Sequence, residues 1–303
     1  MGFIERAELA VPQAEHIPLA RSAARGETLA LRDWGVPSAD APQVIFAHAN
    51  GFCAPMWNRT AIALAQHCHV LAYDARGHGA SVTDASTASL HWNVMHHDLI
   101  DLLSVLQATG RVKGPVTAVG HSMGGAAVLC VAGHRPDLIQ DLVALDPVVW
   151  WPEMLAPSFP TERKDALVAG ARRRRAVFSA RDAAYDAWRG RGIFAGWDDA
   201  VLSAYVHFGL TGNGSGIQLA CDPETEATIF DANWHEDMRA IVGGIAAPGL
   251  VVHATRGHFR RALHEELVAL APRLELRDYD GSHFFPMAEP LATANIVLEQ
   301  MNG

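Results

Sequence analysis

The stretch that most constrains this chain is residues 116–125, Val-Thr-Ala-Val-Gly-His-Ser-Met-Gly-Gly. An apolar run of β type ends in Gly120-His121-Ser122-Met123-Gly124, and a small-residue, helix-compatible segment from Gly125 to Ala132 follows. A Gly-x-Ser-x-Gly pattern in this setting requires a strand, a sharp turn and a helix in that order, with the serine on the strained turn. A bulky residue two positions from the serine would collide with the backbone, and glycine at both flanking positions removes that collision. Ser122 is therefore the candidate nucleophile, and the rest of the chain has to supply its partners.

The surrounding pattern alternates strands and helices. Strands are expected at 27–34, 43–48, 69–74, 116–121 and 138–145, and helices at 56–67, 92–109 and 122–134. The 43–48 run is apolar on both faces, as a central strand of a covered parallel sheet should be. The 92–109 helix buries a stripe of Leu99, Leu102, Leu103 and Leu106 and stops at Gly110. From 148 to 247 no clear strand is expected, and the segment reads as several short helices. The alternation returns with strands at 249–253 and 274–279 and helices at 261–270 and 290–301. This predicts an α/β chain with a mostly parallel central sheet, helices on both faces, and a helical cap inserted before the last two strands. The core is expected at 1–147 and 248–303 and the cap at 148–247.

Composition excludes several alternatives. A net charge of −9 disfavours nucleic acid or an anionic membrane as main partner. No apolar run reaches the ~18 residues a membrane span needs. The first 25 residues carry scattered charge and no apolar core of a secretory signal, so a cytoplasmic location is expected. Cys53, Cys68, Cys130 and Cys221 lack metal-site spacing and read mostly as packing residues.

Serine-dependent hydrolysis needs a base, an acid that orients it, and donors for the oxyanion. The base is expected in a loop after the last strand, where Asp280-Gly-Ser-His283 lies before the final helix. The oxyanion donors are backbone N–H groups, one from Met123 and one from the loop His48-Ala-Asn-Gly-Phe52. Asn50 is the choice in that loop, with Gly51 and Phe52 as alternatives. His48 is expected to brace the loop by hydrogen bonding. The acid should lie between serine and histidine in chain order. The segment after the cap, His253-Ala-Thr-Arg-Gly-His258, holds no carboxylate, whereas Leu145-Asp146-Pro147 does, so Asp146 is assigned and Asp280 is the alternative.

On the motifs His48-Ala-Asn-Gly-Phe52, Asp74-Ala-Arg-Gly-His-Gly-Ala-Ser81, Gly120-His-Ser-Met-Gly-Gly125, Leu145-Asp-Pro147 and Gly281-Ser-His-Phe-Phe-Pro286, the chain resembles the α/β-hydrolase superfamily from about residue 27 to 301. Many members place the acid after the strand that follows the cap. This chain resembles instead the subset with the acid after the strand preceding it, which includes the zearalenone-type lactonases. The resemblance implies a serine hydrolase that cleaves a carboxylic ester or lactone through an acyl-enzyme, without cofactor or metal. Amide or C–C bond hydrolysis with the same triad, and a ligand-binding protein on this fold, are the competing readings. Relatives that use aspartate as nucleophile are set aside because position 122 is serine.

A substrate pocket is expected at the carboxyl ends of the strands, lined by Phe52, Trp57, Trp150, Trp151, Met154, Phe284 and Phe285. These side chains suit an apolar or aromatic substrate portion, and no fixed charge clearly awaits a charged one. The expected partners are a small-molecule ester and water, with a homodimer left open. Other features read as structural. Asp74, Arg76 and Gly77 build a turn. His96-His97 with Asp101 lie on the solvated side of their helix. The run Arg172–Arg175 is a largely solvated lid face, and Gly212–Gly216 is a flexible loop.

Overall fold

A computed structural model describes residues 2–303 apart from 87–88, 157, 159, 213–215 and 233–235. The loop expected at 212–216 falls mostly outside the described residues. The strands are β1 (Glu15–Pro18), β2 (Thr28–Asp33), β3 (Gln43–Ala47), β4 (His69–Tyr73), β5 (Val116–His121), β6 (Ile139–Leu145), β7 (Val177–Phe178), β8 (Leu210–Gly212), β9 (Ile217–Leu219), β10 (Gly249–Arg256) and β11 (Leu274–Ser282). The helices are α1 (Asn58–Leu64), α2 (Trp92–Ala108), α3 (Met123–His134), α4 (Glu162–Arg172), α5 (Arg181–Trp188), α6 (Asp199–Phe208), α7 (Pro223–Asp231), α8 (Met238–Gly243), α9 (Arg261–Leu270), α10 (Phe285–Ala288) and α11 (Pro290–Asn302).

The main sheet runs β1-β2-β4-β3-β5-β6-β10-β11. β1 and β2 pair antiparallel, as do β2 and β4, and every pairing from β4 to β11 is parallel. Side chains alternate across the sheet, and the apolar runs supply both faces. In β3 and β4, Ile45, Ala47, Leu71 and Tyr73 join the core beneath α2, α3, α8 and α9. Val44, Phe46, Val70 and Ala72 join the opposite core with residues of α1 and α11.

Three differences from the sequence reading have local causes. The expected helix at 56–67 is a 3-10 turn, Ala54–Trp57, followed by the shorter α1, because Pro55 fits a first turn but supplies no N–H. The helix expected from residue 122 starts at Met123, since Ser122 sits at φ +54, outside helical space. The segment 148–247 contains strands after all. β7, β9 and β8 form a small antiparallel sheet, each strand being two or three residues long and too short to show a period.

The boundary at 247 also hides a return to the core. α8 packs on α3 so closely that a Cβ on Gly133 would lie 2.1 Å from Ile241 O. α8 thus belongs to the sheet face that α2 and α3 cover. No helix is long and apolar enough to cross a membrane among the described residues.

Candidate active site

Parallel register brings the site together at one edge of the sheet. Gly120 pairs with Ala47 and His121 with Leu145, so the loops leaving β3, β5 and β6 emerge side by side. The backbone of Ser122 is held on every side. Its N–H donates to Leu145 O at 3.1 Å, and its carbonyl accepts from Ala126 N at 3.0 Å and Val148 N at 3.1 Å. The glycines around it are required by close approach. A Cβ on Gly120 would lie 2.2 Å from Gly124 O, and one on Gly124 would lie 2.2 Å from Ala47 O.

His283 follows β11 and is 7% exposed. Its Nδ1–H donates to Asp146 Oδ2 at 2.6 Å, while Asp146 Oδ1 accepts from Ala254 N at 3.1 Å. Asp146 is fully buried at φ +41, a left-handed conformation that aspartate tolerates at modest cost. Its N–H donates to Val252 O at 2.7 Å. Burial pushes its carboxyl up, but the hydrogen bond and charge of His283, with the Ala254 amide, outweigh this and hold it below the ordinary value. Asp280 is 84% exposed in its side chain and faces Arg256 instead.

Two further histidine contacts fix this pair. His121 Nε2–H donates to His283 O at 2.8 Å, and burial with the neighbouring His283 pushes His121 down to about 3, so it stays neutral. His264 Nε2–H donates to Pro147 O at 3.0 Å, which leaves its Nδ1 to accept from His253 Nδ1–H at 3.1 Å. The buried His253–His264 pair therefore braces the turn that carries Asp146. Neither brace has a local sequence signal, because each joins residues distant along the chain.

The loop after β3 resolves its amides by geometry. Gly51 N–H donates to His78 Nε2 at 2.9 Å, and Phe52 N–H donates to Ala49 O at 3.2 Å. The amides of Asn50 and Met123 have no acceptor among the described residues, and both residues line the same cavity as Ser122 and His283. His48 ties the loop to its neighbour, with Nδ1–H donating to Ala49 O at 2.8 Å and Nε2 accepting from Ala75 N at 2.9 Å. Arg76 is buried between Glu27 and Asp98 and serves the turn after β4.

The cavity measures about 940 Å³. Phe52, Trp150, Met154 and Phe284 line it, whereas Trp57, Trp151 and Phe285 do not. Trp57 is fixed in the Pro55 turn and packs on Phe46 at 4.8 Å. Trp151 is buried with the Arg239 guanidinium over its ring, and Phe285 stacks on Tyr279 at 4.3 Å. Trp92, Trp188, Phe194, Phe230 and Phe259 complete the apolar wall. The cavity lining is not free of charge, which the sequence had not suggested. Arg163, Lys164, Arg174, Arg175, Arg191 and Arg260 are among the residues lining the cavity, with Glu226 as the one acid, and of these Arg174 pairs with Glu226 and Lys164 with Asp231.

Arg174 departs from the solvated reading of its run. It bonds Glu226 and donates to Tyr205 Oη at 2.8 Å, and Tyr205 in turn donates to Gly51 O at 2.9 Å. Asn50 Nδ2 donates to Glu226 O at 3.0 Å, so the insertion grips the Asn50–Gly51 loop twice. His96 likewise is fully buried rather than solvated, and Asp101 bonds Arg21.

The structure pairs His283 with Asp146 and lines one cavity with Ser122, His283, Asn50 and Met123. Comparison with known proteins places the chain among hydrolases. The sequence profile of the alpha/beta hydrolase family matches residues 44–296. Lipase LipV of Mycobacterium tuberculosis is 30% identical over 254 residues, spanning 81% of this chain and 88% of that protein. The structure of E-2-(acetamidomethylene)succinate hydrolase superposes with a TM-score of 0.76 at 20% identity, over 96% of this chain and 99% of its own. The enol-lactonase of Burkholderia xenovorans LB400 superposes with a TM-score of 0.66 at 22% identity, over 95% and 100%.

Proposed function

Because the chain belongs to the alpha/beta hydrolase family, we propose that it is a serine hydrolase cleaving a carboxylic ester or lactone with an apolar or aromatic portion. The observation that carries this reading is the Asp146–His283 hydrogen bond of 2.6 Å beside a rigid Ser122 elbow, within one apolar-walled cavity. His283 takes the Ser122 proton as Ser122 attacks the carbonyl. The amides of Asn50 and Met123 receive the oxyanion. His283 protonates the leaving alcohol and then activates water for deacylation. Asp146 stays ionised and stabilises the imidazolium. The helices above the cavity act as a cap, the substrate and water are the partners, and no cofactor enters the chemistry.

The excess of cations in the lining refines the substrate. These cations would repel a positively charged acyl or alcohol group and tolerate a neutral or anionic one. The family neighbour that hydrolyses an acetamidomethylene succinate keeps amide cleavage as the second reading.

The test pairs a fluorophosphonate probe with p-nitrophenyl esters bearing neutral, anionic and cationic acyl chains, and includes lactones and amides. The wild type is expected to be labelled and to turn over esters, and Ser122→Ala to do neither. An unlabelled, inactive wild type would overturn the hydrolase mechanism, and activity surviving in Ser122→Ala would remove the nucleophile.

A further inference from the structure

Away from the cavity, three imidazoles converge on one carboxylate. His96 and His97 lie on α2, His134 is the last residue of α3, and Glu236 lies in the chain that enters α8. Glu236 Oε2 is 3.2 Å from His96 Nε2 and 2.9 Å from His134 Nε2, and Oε1 is 3.1 Å from His97 Nε2. No lysine or arginine pairs with Glu236 among the described residues. We infer that His96, His134 and Glu236, with His97 beside them, form a binding site for a divalent transition-metal ion such as Zn²⁺.

Geometry and chemistry both support it. The ligand atoms of His96, His134 and Glu236 all lie within 4.8 Å of one another. Around tetrahedral Zn²⁺ with ~2.0–2.1 Å bonds, ligand atoms sit about 3.3 Å apart; the Glu236 contacts of 3.2 and 2.9 Å are already near that spacing, and His97 or water would supply the fourth position. Nitrogen donors with one carboxylate suit zinc, cobalt or nickel better than magnesium or calcium. His96 is fully buried, so its imidazole is held in place among the other ligands. On the outer side, His97 and His134 are 37% and 31% exposed in their side chains, which leaves an entry path.

The position assigns the site a role. His134 ends the helix that Ser122 precedes, so roughly 18 Å of α3 separates the two. The ion would not touch substrate. It would cross-link α2 and α3 to the point where the insertion returns to the core, and would stabilise that junction.

The experiment uses untagged, chelator-stripped protein titrated with ZnCl2 by calorimetry and with CoCl2 by visible absorption. One ion per chain is expected, with micromolar or tighter affinity, a rise in Tm, tetrahedral cobalt bands and unchanged ester turnover. His134→Ala and Glu236→Gln should each weaken binding at least about tenfold while keeping the wild-type circular dichroism. His134 is partly exposed, so its variant stays informative if Glu236→Gln does not fold. Absence of saturable binding would overturn the inference. So would wild-type affinity in His134→Ala, or zinc binding that inhibits turnover and survives that substitution, which would place the ion at Asp146, His253 and His264 instead.

Discussion

Asp146 and His283 meet across the carboxyl edge of the sheet, from the ends of β6 and β11, with β10 running between them. The contact is short because both residues are held independently of each other. Asp146 is pinned by the Val252 carbonyl and the Ala254 amide, and His283 by the His121 ring. The carboxylate therefore sets the imidazole tautomer, with the proton on Nδ1 and Nε2 left as the basic nitrogen.

Replacing that carboxylate should be costly in rate and cheap in binding. Asp146→Asn is expected to lower kcat roughly 1,000- to 10,000-fold with little change in KM, because the wrong tautomer is favoured. Asp280→Asn should stay within about twofold, since its side chain is exposed and paired to Arg256. Steady-state kinetics on one p-nitrophenyl ester decides between them, and a larger loss in Asp280→Asn would reassign the acid.

Tyr205 links the insertion to the loop that offers the Asn50 amide. Its hydroxyl donates to Gly51 O at 2.9 Å and accepts from Arg174 at 2.8 Å. Tyr205→Phe keeps the ring packing and removes the tie. The expected result is a kcat loss of about tenfold, short of the 100- to 1,000-fold that follows complete removal of an oxyanion donor. KM for a small ester should hardly move. A change confined to KM would mean that the tie serves substrate binding and not the loop.

These relationships differ in how far the chain alone discloses them. The elbow at Ser122 and the turn before His283 are legible because their requirements are local: glycines at fixed offsets and a loop following an apolar strand. Asp146 is legible by default, since residues 254–258 carry no carboxylate. The cavity wall is another matter. Phe52 and Trp57 are both aromatic and five residues apart, yet only Phe52 faces the cavity, because the Pro55 turn sends Trp57 onto Phe46. Arg174 and Glu226, or His96 and Glu236, pair across long stretches of chain, and no period or spacing marks such contacts. The strands β7, β8 and β9 are too short to carry a pattern of their own.

Acid stability should depend on Asp33 at the end of β2. Burial raises its carboxyl, but hydrogen bonds from His69 at 2.9 Å, the Gly35 amide at 2.8 Å and Arg111 at 2.9 Å outweigh this and hold it at about 2. A carboxylate lowered on folding stabilises the native state above its unfolded value, and the contribution disappears as pH falls toward the folded value. The window is therefore about pH 4 down to about 2. With the side chain 30% exposed, the contribution is about 1–2 kcal/mol. Urea unfolding of Asp33→Asn should show lower stability than wild type at pH 7 and a smaller loss between pH 4 and 2. A parallel decline of both proteins would remove Asp33 from the account.

Two glycine-to-alanine changes should act in opposite directions. At Gly124 a Cβ would meet Ala47 O at 2.2 Å, Ala47 C at 2.5 Å and His48 O at 2.8 Å, all of them backbone atoms that cannot swing away. Relief requires the start of α3 to lift from the end of β3, which displaces Ser122 and the Asn50 loop together. Gly124→Ala should cost on the order of 3 kcal/mol and lower activity more than stability alone explains. At Gly170, inside α4, a Cβ meets nothing within 4 Å and the backbone is helical. Gly170→Ala should stabilise by about 0.5–1 kcal/mol through helix propensity and lost freedom in the unfolded chain. Thermal unfolding of both variants, with kinetics on the folded fraction, checks the pair. Wild-type Tm and kcat in Gly124→Ala would mean that the elbow does not rest on β3 as closely as these distances require.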